Sequence, residues 1–272
     1  MYLYYSGNID VDMEGEVPEP LALTFEREEL IKALYGEYKE KRELVEELQT
    51  SRSTVNRAMD DLERTELVEH ESGKYSLSNM GRMIYDHTEG FLDELDEIIE
   101  SKELFDPLTE SHNINQRAVI GSEIHLVEPP VTFEKYAHVW SYLERSEGLQ
   151  VFAPRLLYQK SFELKYELAA KRQVPVNVIL PYDLFERATS EYEEEYAEMA
   201  ENPRFSIHTV ESVPYGLSIS EVPNGVKMNI VIYDKGSYNG FLINDTKESV
   251  SWAKAEFDSY LQTATERTDE LK

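Results

Sequence analysis

The chain has 272 residues, 54 of them acidic and 27 basic, for a formal net charge of -27, and it contains no cysteine. Its 41% hydrophobic and 11% aromatic content excludes a disordered chain and is ample for two domains. The missing cysteines exclude disulfides, zinc ribbons and thiol chemistry, and no run approaches the roughly 20 apolar residues of a membrane span. Met1-Tyr2-Leu3-Tyr4-Tyr5-Ser6 has neither the basic start nor the apolar core of a signal peptide, so a cytoplasmic protein with no membrane partner is expected.

Residues 1–24, which include Val17-Pro18-Glu19-Pro20, read as a poorly ordered or loosely docked arm. From Thr24 as N-cap, a first helix runs through Leu30, Ile31 and Leu34 to Gly36. A second covers Lys41 to Leu48 with Leu44, Val45 and Leu48 inward. Ser51 then sits where an N-cap belongs, followed by a third helix that buries Val55, Met59 and Leu62 and leaves Arg52, Ser53, Asn56 and Arg57 outside. The stretch Gln49 to Met59 holds two arginines, four hydroxyls, two amides and no carboxylate, a composition out of place on an acidic surface. Arginine can bond guanine O6 and N7, asparagine can bond adenine N6 and N7, and hydroxyls suit phosphates. Leu67 to His70 and Lys74 to Leu77, joined through Glu71-Ser72-Gly73, make a hairpin placed as a wing. Residues 25–78 are therefore expected to be a winged helix-turn-helix domain that binds double-stranded DNA. Its expected contacts are Lys41, Ser51, Arg52, Ser53, Thr54, Asn56, Arg57, Lys74 and Tyr75. The competing reading is a polar helix face that is merely solvated.

Residues 79–106 read as a connecting helix. Apolar residues recur seven apart, at Ile84, Phe91 and Ile98 and again at Tyr85, Leu92 and Ile99, with Leu95 between. Such a stripe suits a partner helix and points to a homodimer, or else it packs on the chain's own domains.

Residues 107–272 read as a mixed α/β domain. Strands are expected at Arg117–Ile120, Ile124–Val127, Leu149–Ala153, Val174–Leu180 and Phe205–Val210, then at Gly216–Ser220, Lys227–Tyr233 and Tyr238–Asn244 with hairpin spacing. Helices are expected at Phe133–Leu143, Ser161–Arg172, Tyr182–Ala200 and, after a Thr246 cap, through Val250, Trp252, Ala253, Phe257 and Leu261. Three strands end in proline, at Ala153-Pro154-Arg155, Leu180-Pro181-Tyr182-Asp183 and Val213-Pro214-Tyr215-Gly216. If their tails meet at one sheet edge, Arg155, Tyr182, Asp183 and Tyr215 come together and suit a small anionic effector. The plainer alternative is that the prolines only end strands and that Arg155 pairs with a surface acid.

Enzyme signatures are missing: there is no Gly-x-Ser-x-Gly elbow, Gly-rich phosphate loop or His-Glu-x-x-His. Glu123 and His125 share a strand face and could hold a metal with a third ligand, but a lone pair of this kind is far more often structural. Neither a cofactor nor a metal is expected.

The run from Lys41 to Gly81, with Ser51-Arg52-Ser53-Thr54-Val55 in its third helix and Leu77-Ser78-Asn79-Met80-Gly81 after the wing, resembles the helix-turn-helix of archaeal transcriptional regulators. The later part, with Val213-Pro214-Tyr215-Gly216-Leu217 and Val250-Ser251-Trp252-Ala253-Lys254, is similar to the effector domain those regulators share with the methanogenesis (filament) regulator. The resemblance implies an α+β fold: a winged helix-turn-helix, a connecting helix and an α/β effector domain whose sheet is like that of phospholipase D. Active enzymes of that fold need His-x-Lys, and no histidine here is followed two places on by lysine. A transcriptional regulator that senses a small molecule is thus expected, ahead of a phosphodiesterase-like hydrolase with an appended helix-turn-helix or a protein-interaction adaptor. The distributed acidity also resembles that of cytosolic proteins from salt-loving archaea. In molar salt the Debye length is about 3 Å, so general repulsion from DNA is largely screened.

Overall fold

The structure is a computed structural model and describes residues 17–109, 114–127, 141–155, 159–235 and 237–272. The chain divides into two compact units at Asp93/Glu94. The mixed α+β class is as expected: helices dominate the N-terminal unit, and a large mixed sheet dominates the other.

The N-terminal unit begins earlier than expected. Residues 19–24 belong to helix α1 (Glu19–Glu26), with Pro18 at the N-cap and Leu23 buried. Thr24 is no cap, since its hydroxyl donates to the Pro20 carbonyl one turn back, at 2.9 Å. The chain breaks at Arg27 (φ -122, ψ 24) and resumes as α2 (Glu28–Leu34). Helix α3 (Lys41–Glu47) is fixed by a capping box in which Glu40 and Glu43 each bind the other's backbone N–H. Gln49, in the left-handed region at φ 49, turns the chain into α4 (Arg52–Arg64). Strands β1 (Val68–Glu71) and β2 (Lys74–Leu77) are joined by Ser72 and Gly73, both at positive φ, as the tight two-residue hairpin turn requires. Leu34, Val55, Met59, Leu62, Leu67 and Leu77 close the core between these elements.

Helix α5 (Asn79–Glu100) starts at a close approach. Ser78 donates to the Glu66 carbonyl and accepts from the Gly81 N–H, which presses Gly81 onto the Leu67 backbone. A Cβ at residue 81 would lie 2.1 Å from the Leu67 carbonyl oxygen, so glycine is the residue that fits. The connecting helix ends near Ser101, and a short α6 (Lys102–Phe105) follows.

In the C-terminal unit, Arg117–Ile120 is not a strand. Asn115 caps a short helix α7 (Gln116–Val119), accepting from the Arg117 N–H at 3.0 Å, and the buried Asn244 amide binds the Ala118 and Ile120 carbonyls. The strands are β3 (Glu123–Leu126), β4 (Gly148–Phe152), β5 (Val176–Pro181), β6 (Phe205–Val210), β7 (Gly216–Val222), β8 (Gly225–Asp234), β9 (Ser237–Asn244) and β10 (Thr265–Glu266). They form one sheet in the order β10-β6-β5-β4-β7-β8-β9-β3. The β4, β5 and β6 strands run parallel and every other pairing is antiparallel.

Between β4 and β5 lies α8 (Gln159–Tyr166), which widens into a π-helical turn at Glu167–Lys171. Between β5 and β6, the expected single helix splits at Tyr192 (φ -129, ψ 47) into α9 (Tyr182–Glu191) and α10 (Glu193–Ala200). Helix α11 (Lys247–Thr263) starts from the Thr246 cap. The sheet carries a core on each face: Val176, Val178 and Leu180 of β5 belong to one, Ile179 to the other with Ala253 and Phe257 of α11. This double covering explains why β5 is apolar at nearly every position. The helix expected over Phe133–Leu143 lies outside the described residues except for its last three positions. No helix among the described residues is long and apolar enough to cross a membrane.

Candidate nucleic-acid interface and ligand cavity

The first turn of α4 is built from its cap. Ser51 Oγ accepts from the Thr54 N–H at 3.1 Å and lies 2.8 Å from the hydroxyls of both Ser53 and Thr54. Arg52, Ser53, Thr54 and Arg57 are exposed, and Asn56 is half-buried on the same side. Neither Arg52 nor Arg57 has an ion-pair partner among the described residues. The carboxylates of α4 are confined to its second half, where Asp60 lies 3.7 Å from Lys41 and Asp61 lies 3.3 Å from Arg27. The helix thus presents unpaired cations and free N–H groups at one end, which is the end that attracts anions.

The β1–β2 hairpin contributes less than expected of a wing. Tyr75 is 8% exposed, stacked on His70 at 4.2 Å, with the Lys41 ammonium 5.1 Å above its ring. It belongs to the core of the N-terminal unit and offers little free surface to a groove. Lys41 is half-buried in the same contact and is shared with Asp60. Lys74 is exposed beside the turn, directly opposite Glu71. Glu69, held below the usual carboxylate range by hydrogen bonds from Tyr38 and then Ser76, adds further negative charge to the hairpin.

The expected anion site divides. The ends of β4, β5 and β6 do share one sheet edge, because the three strands are parallel. Their side chains nevertheless separate. Tyr215 is 1% exposed in the core on the α11 face, 5.5 Å from Phe152, with its hydroxyl donating to Glu256 at 2.8 Å. Tyr182 is exposed, with the Arg267 guanidinium 5.3 Å above its ring, and Asp183 is exposed in the first turn of α9. Only Arg155 reaches a cavity, at whose rim it is exposed.

That cavity has a volume of about 100 Å3 and lies against the opposite face of the sheet, with walls that include Leu149, Val178, Leu180, Val231 and Phe241. Its buried charged group is Lys165, which is not among the expected site residues; the buried Asn229 also lines it. Lys165 Nζ donates to the Ser161 carbonyl at 2.7 Å and to the Ser161 hydroxyl at 2.9 Å, and burial pushes its pKa down to about 8. A signal existed: Lys165 falls three and four residues from Phe162, Leu168 and Ala169, on the apolar stripe of its helix. Glu123 and His125 lie 2.9 Å apart, and no group of three potential metal ligands occurs among the described residues.

Two family models match the chain. Residues 132–263 match the middle domain of the methanogenesis regulatory protein FilR1, and residues 18–98 match the HVO_A0261 N-terminal domain. The second segment contains α4 and its hairpin, and the first contains Arg155 and Lys165. No curated protein sequence matches. Among solved structures, the chain is similar to TrmBL2, an archaeal chromatin protein with a novel mode of DNA binding, at 14% identity and a TM-score of 0.41, covering 92% of this chain and 99% of that one. It is also similar to Nuc from Salmonella typhimurium, a phospholipase D family member, at 14% identity and a TM-score of 0.40, covering 53% and 97%. NucT from Helicobacter pylori gives 12% identity and a TM-score of 0.40, covering 53% and 98%.

Proposed function

We propose that this protein is a DNA-binding transcriptional regulator. In this reading the N-terminal unit is a winged helix-turn-helix that sets α4 in the major groove, and the C-terminal unit senses a small molecule. The observation that carries the reading is the first half of α4: two exposed arginines with no ion-pair partner among the described residues, beside a cluster of hydroxyls and without a carboxylate, in a chain of net charge -27. The match of residues 132–263 to a regulator's domain supports it from the other half of the chain. High salt would screen the repulsion between so acidic a protein and DNA, and would also weaken the counterion release that drives ordinary DNA binders. Close contacts to bases must then supply the affinity, which suits Arg52, Asn56 and Arg57 at helical spacing.

Dimerisation belongs to the same reading. In α5, Phe91 is 49% and Ile99 67% exposed, while Leu92, Leu95 and Ile98 are half-buried. A second copy covering this ridge would pair two recognition helices for a palindromic site.

The experiment is selection from a random duplex pool by the full chain in low and in molar potassium chloride. An enriched palindromic motif is expected, and a pool that stays random under both conditions overturns the reading. Phosphodiesterase activity on the same duplexes would favour the hydrolase alternative.

A further inference from the structure

Lys165 is 7% exposed and has no carboxylate within ion-pair distance among the described residues. Among the described residues its three N–H donors meet only Ser161, through one carbonyl and one hydroxyl oxygen, so one donor has no acceptor there. Buried ammonium groups are ordinarily paired, because desolvating a lone charge is costly. This one instead borders a cavity. It sits one residue before the end of α8, where the helix widens into a π-helical turn of a kind that recurs at functional sites.

The dimensions and walls select among anions. About 100 Å3 is less than the roughly 150 Å3 that accepts benzene and far below pockets for nucleotides or coenzymes, so about four to six carbon atoms fit. A phosphate dianion would bring two negative charges to one buried cation, with Ser218 and Asn229 among the further polar groups of a mostly apolar wall. A carboxylate places one oxygen on the remaining Lys165 donor and the other on the Ser161 hydroxyl, whose oxygen accepts from Lys165 and whose proton has no acceptor among the described residues. The alkyl body then covers Val178, Leu180 and Phe241. A neutral isostere would leave the ammonium uncompensated.

We propose that the C-terminal unit binds a short-chain apolar monocarboxylate in this cavity, with Lys165 as its anchor and Ser161 as the second contact. Arg155 only flanks the entrance. The proposal rests on the sensor reading above and supplies the ligand class that reading leaves open.

The test is thermal unfolding of the full chain with isovalerate, butyrate and hexanoate, against isovaleramide, 3-methylbutanol and inorganic phosphate at equal ionic strength. A carboxylate at about a hundredfold excess over its Kd should raise Tm by on the order of 5 °C, while the neutral isosteres and phosphate do not. Lys165→Met should melt higher than wild type without ligand and show no carboxylate shift, which a merely structural lysine would not do. Ser161→Ala, the milder change, should weaken binding several-fold, and Arg155→Ala should keep the shift. Equal shifts from isovaleramide or phosphate, an unchanged response in Lys165→Met, or loss of response only in Arg155→Ala would each overturn the assignment. Duplex binding measured in parallel separates the two levels. Carboxylate binding with unchanged DNA affinity supports the cavity and sinks the sensor reading, whereas specific DNA binding with no carboxylate response sinks the cavity assignment alone.

Discussion

The arginines of α4 and the lysine of α8 are the same kind of charge in opposite settings. Arg52 and Arg57 stand in solvent with no ion-pair partner among the described residues, at almost no cost to folding. Lys165 stands in the core with a serine for company, and its burial opposes folding. An exposed unpaired cation is informative because of what surrounds it, here the absence of carboxylates in an acidic chain. A buried unpaired cation is informative by itself, since the fold retains it at a penalty. Substitutions at each setting, and at the backbone that holds it, should therefore give effects of different sign.

The largest effect is expected where α4 gains its platform. In Gly81→Ala the new methyl meets backbone 2.1 Å away, and no side chain can turn aside to relieve it. A loss of about 3 kcal/mol or more is expected, with specific DNA binding abolished. Unfolding in urea and duplex binding check both, and a variant as stable as wild type would show that α5 can slide past Leu67.

Next in size, and opposite in sign, is Lys165→Met. The pKa falls from 10.5 to about 8, so keeping the ammonium charged at pH 7 costs on the order of 3 kcal/mol, and the apolar variant should be more stable by up to that amount. The linkage fixes the pH window. Between about 8 and 10.5 the unfolded chain holds more protons than the folded one, so wild-type stability rises with pH across that interval. The advantage is complete above the unfolded value and is lost as pH falls through the folded one. Urea midpoints at pH 7 and 9.5 should rise for wild type relative to Lys165→Met, and parallel curves would mean that Lys165 is hydrated.

These two sites also show what the sequence made legible. Ser51 as a cap and Val55, Met59 and Leu62 as the buried stripe follow from local pattern, and Phe205–Val210 has the bounds its composition predicts. What failed had several causes, one of them a partner distant in sequence. Arg117–Ile120 looks like a strand by β-branched content, but Asn115 and the Asn244 amide hold it as a helix. The break at Arg27 has no Gly or Pro to announce it. Tyr75 beside the exposed Lys74 reads as a surface contact of the hairpin, although it packs in the core with Leu77. Tyr182 and Tyr215 share a sheet edge with Arg155 as the topology required, yet edge position does not determine which way a side chain points.

A smaller effect, confined to binding, is expected from Arg57→Ala. The residue is exposed and unpaired, so stability should change by less than about 0.5 kcal/mol. If it makes a bidentate base contact, affinity for the selected duplex should fall by about 1–3 kcal/mol, while affinity for random duplex falls much less. Equal losses on both duplexes would assign it to phosphate.

The smallest effect on stability, and the finest test of the contrast, is Ser51→Asp. Serine and aspartate cap helices about equally well, and a carboxylate at a helix N-terminus gains from the dipole, so the folded state should change by only a few tenths of a kcal/mol. The Thr54 N–H would keep an acceptor in place of the Ser51 hydroxyl. On the face of α4 the same change introduces the one group its first turn lacks, a negative charge between the hydroxyls and beside Arg52. If that turn meets the phosphate backbone, duplex binding should fall for every sequence, with the melting curve unmoved. Ser51→Ala should give the reverse pattern: about 1 kcal/mol less stability from the lost cap, but binding that remains once the protein is folded. Should Ser51→Asp bind duplex as well as wild type, the first turn of α4 does not face DNA, and its freedom from carboxylates needs another cause.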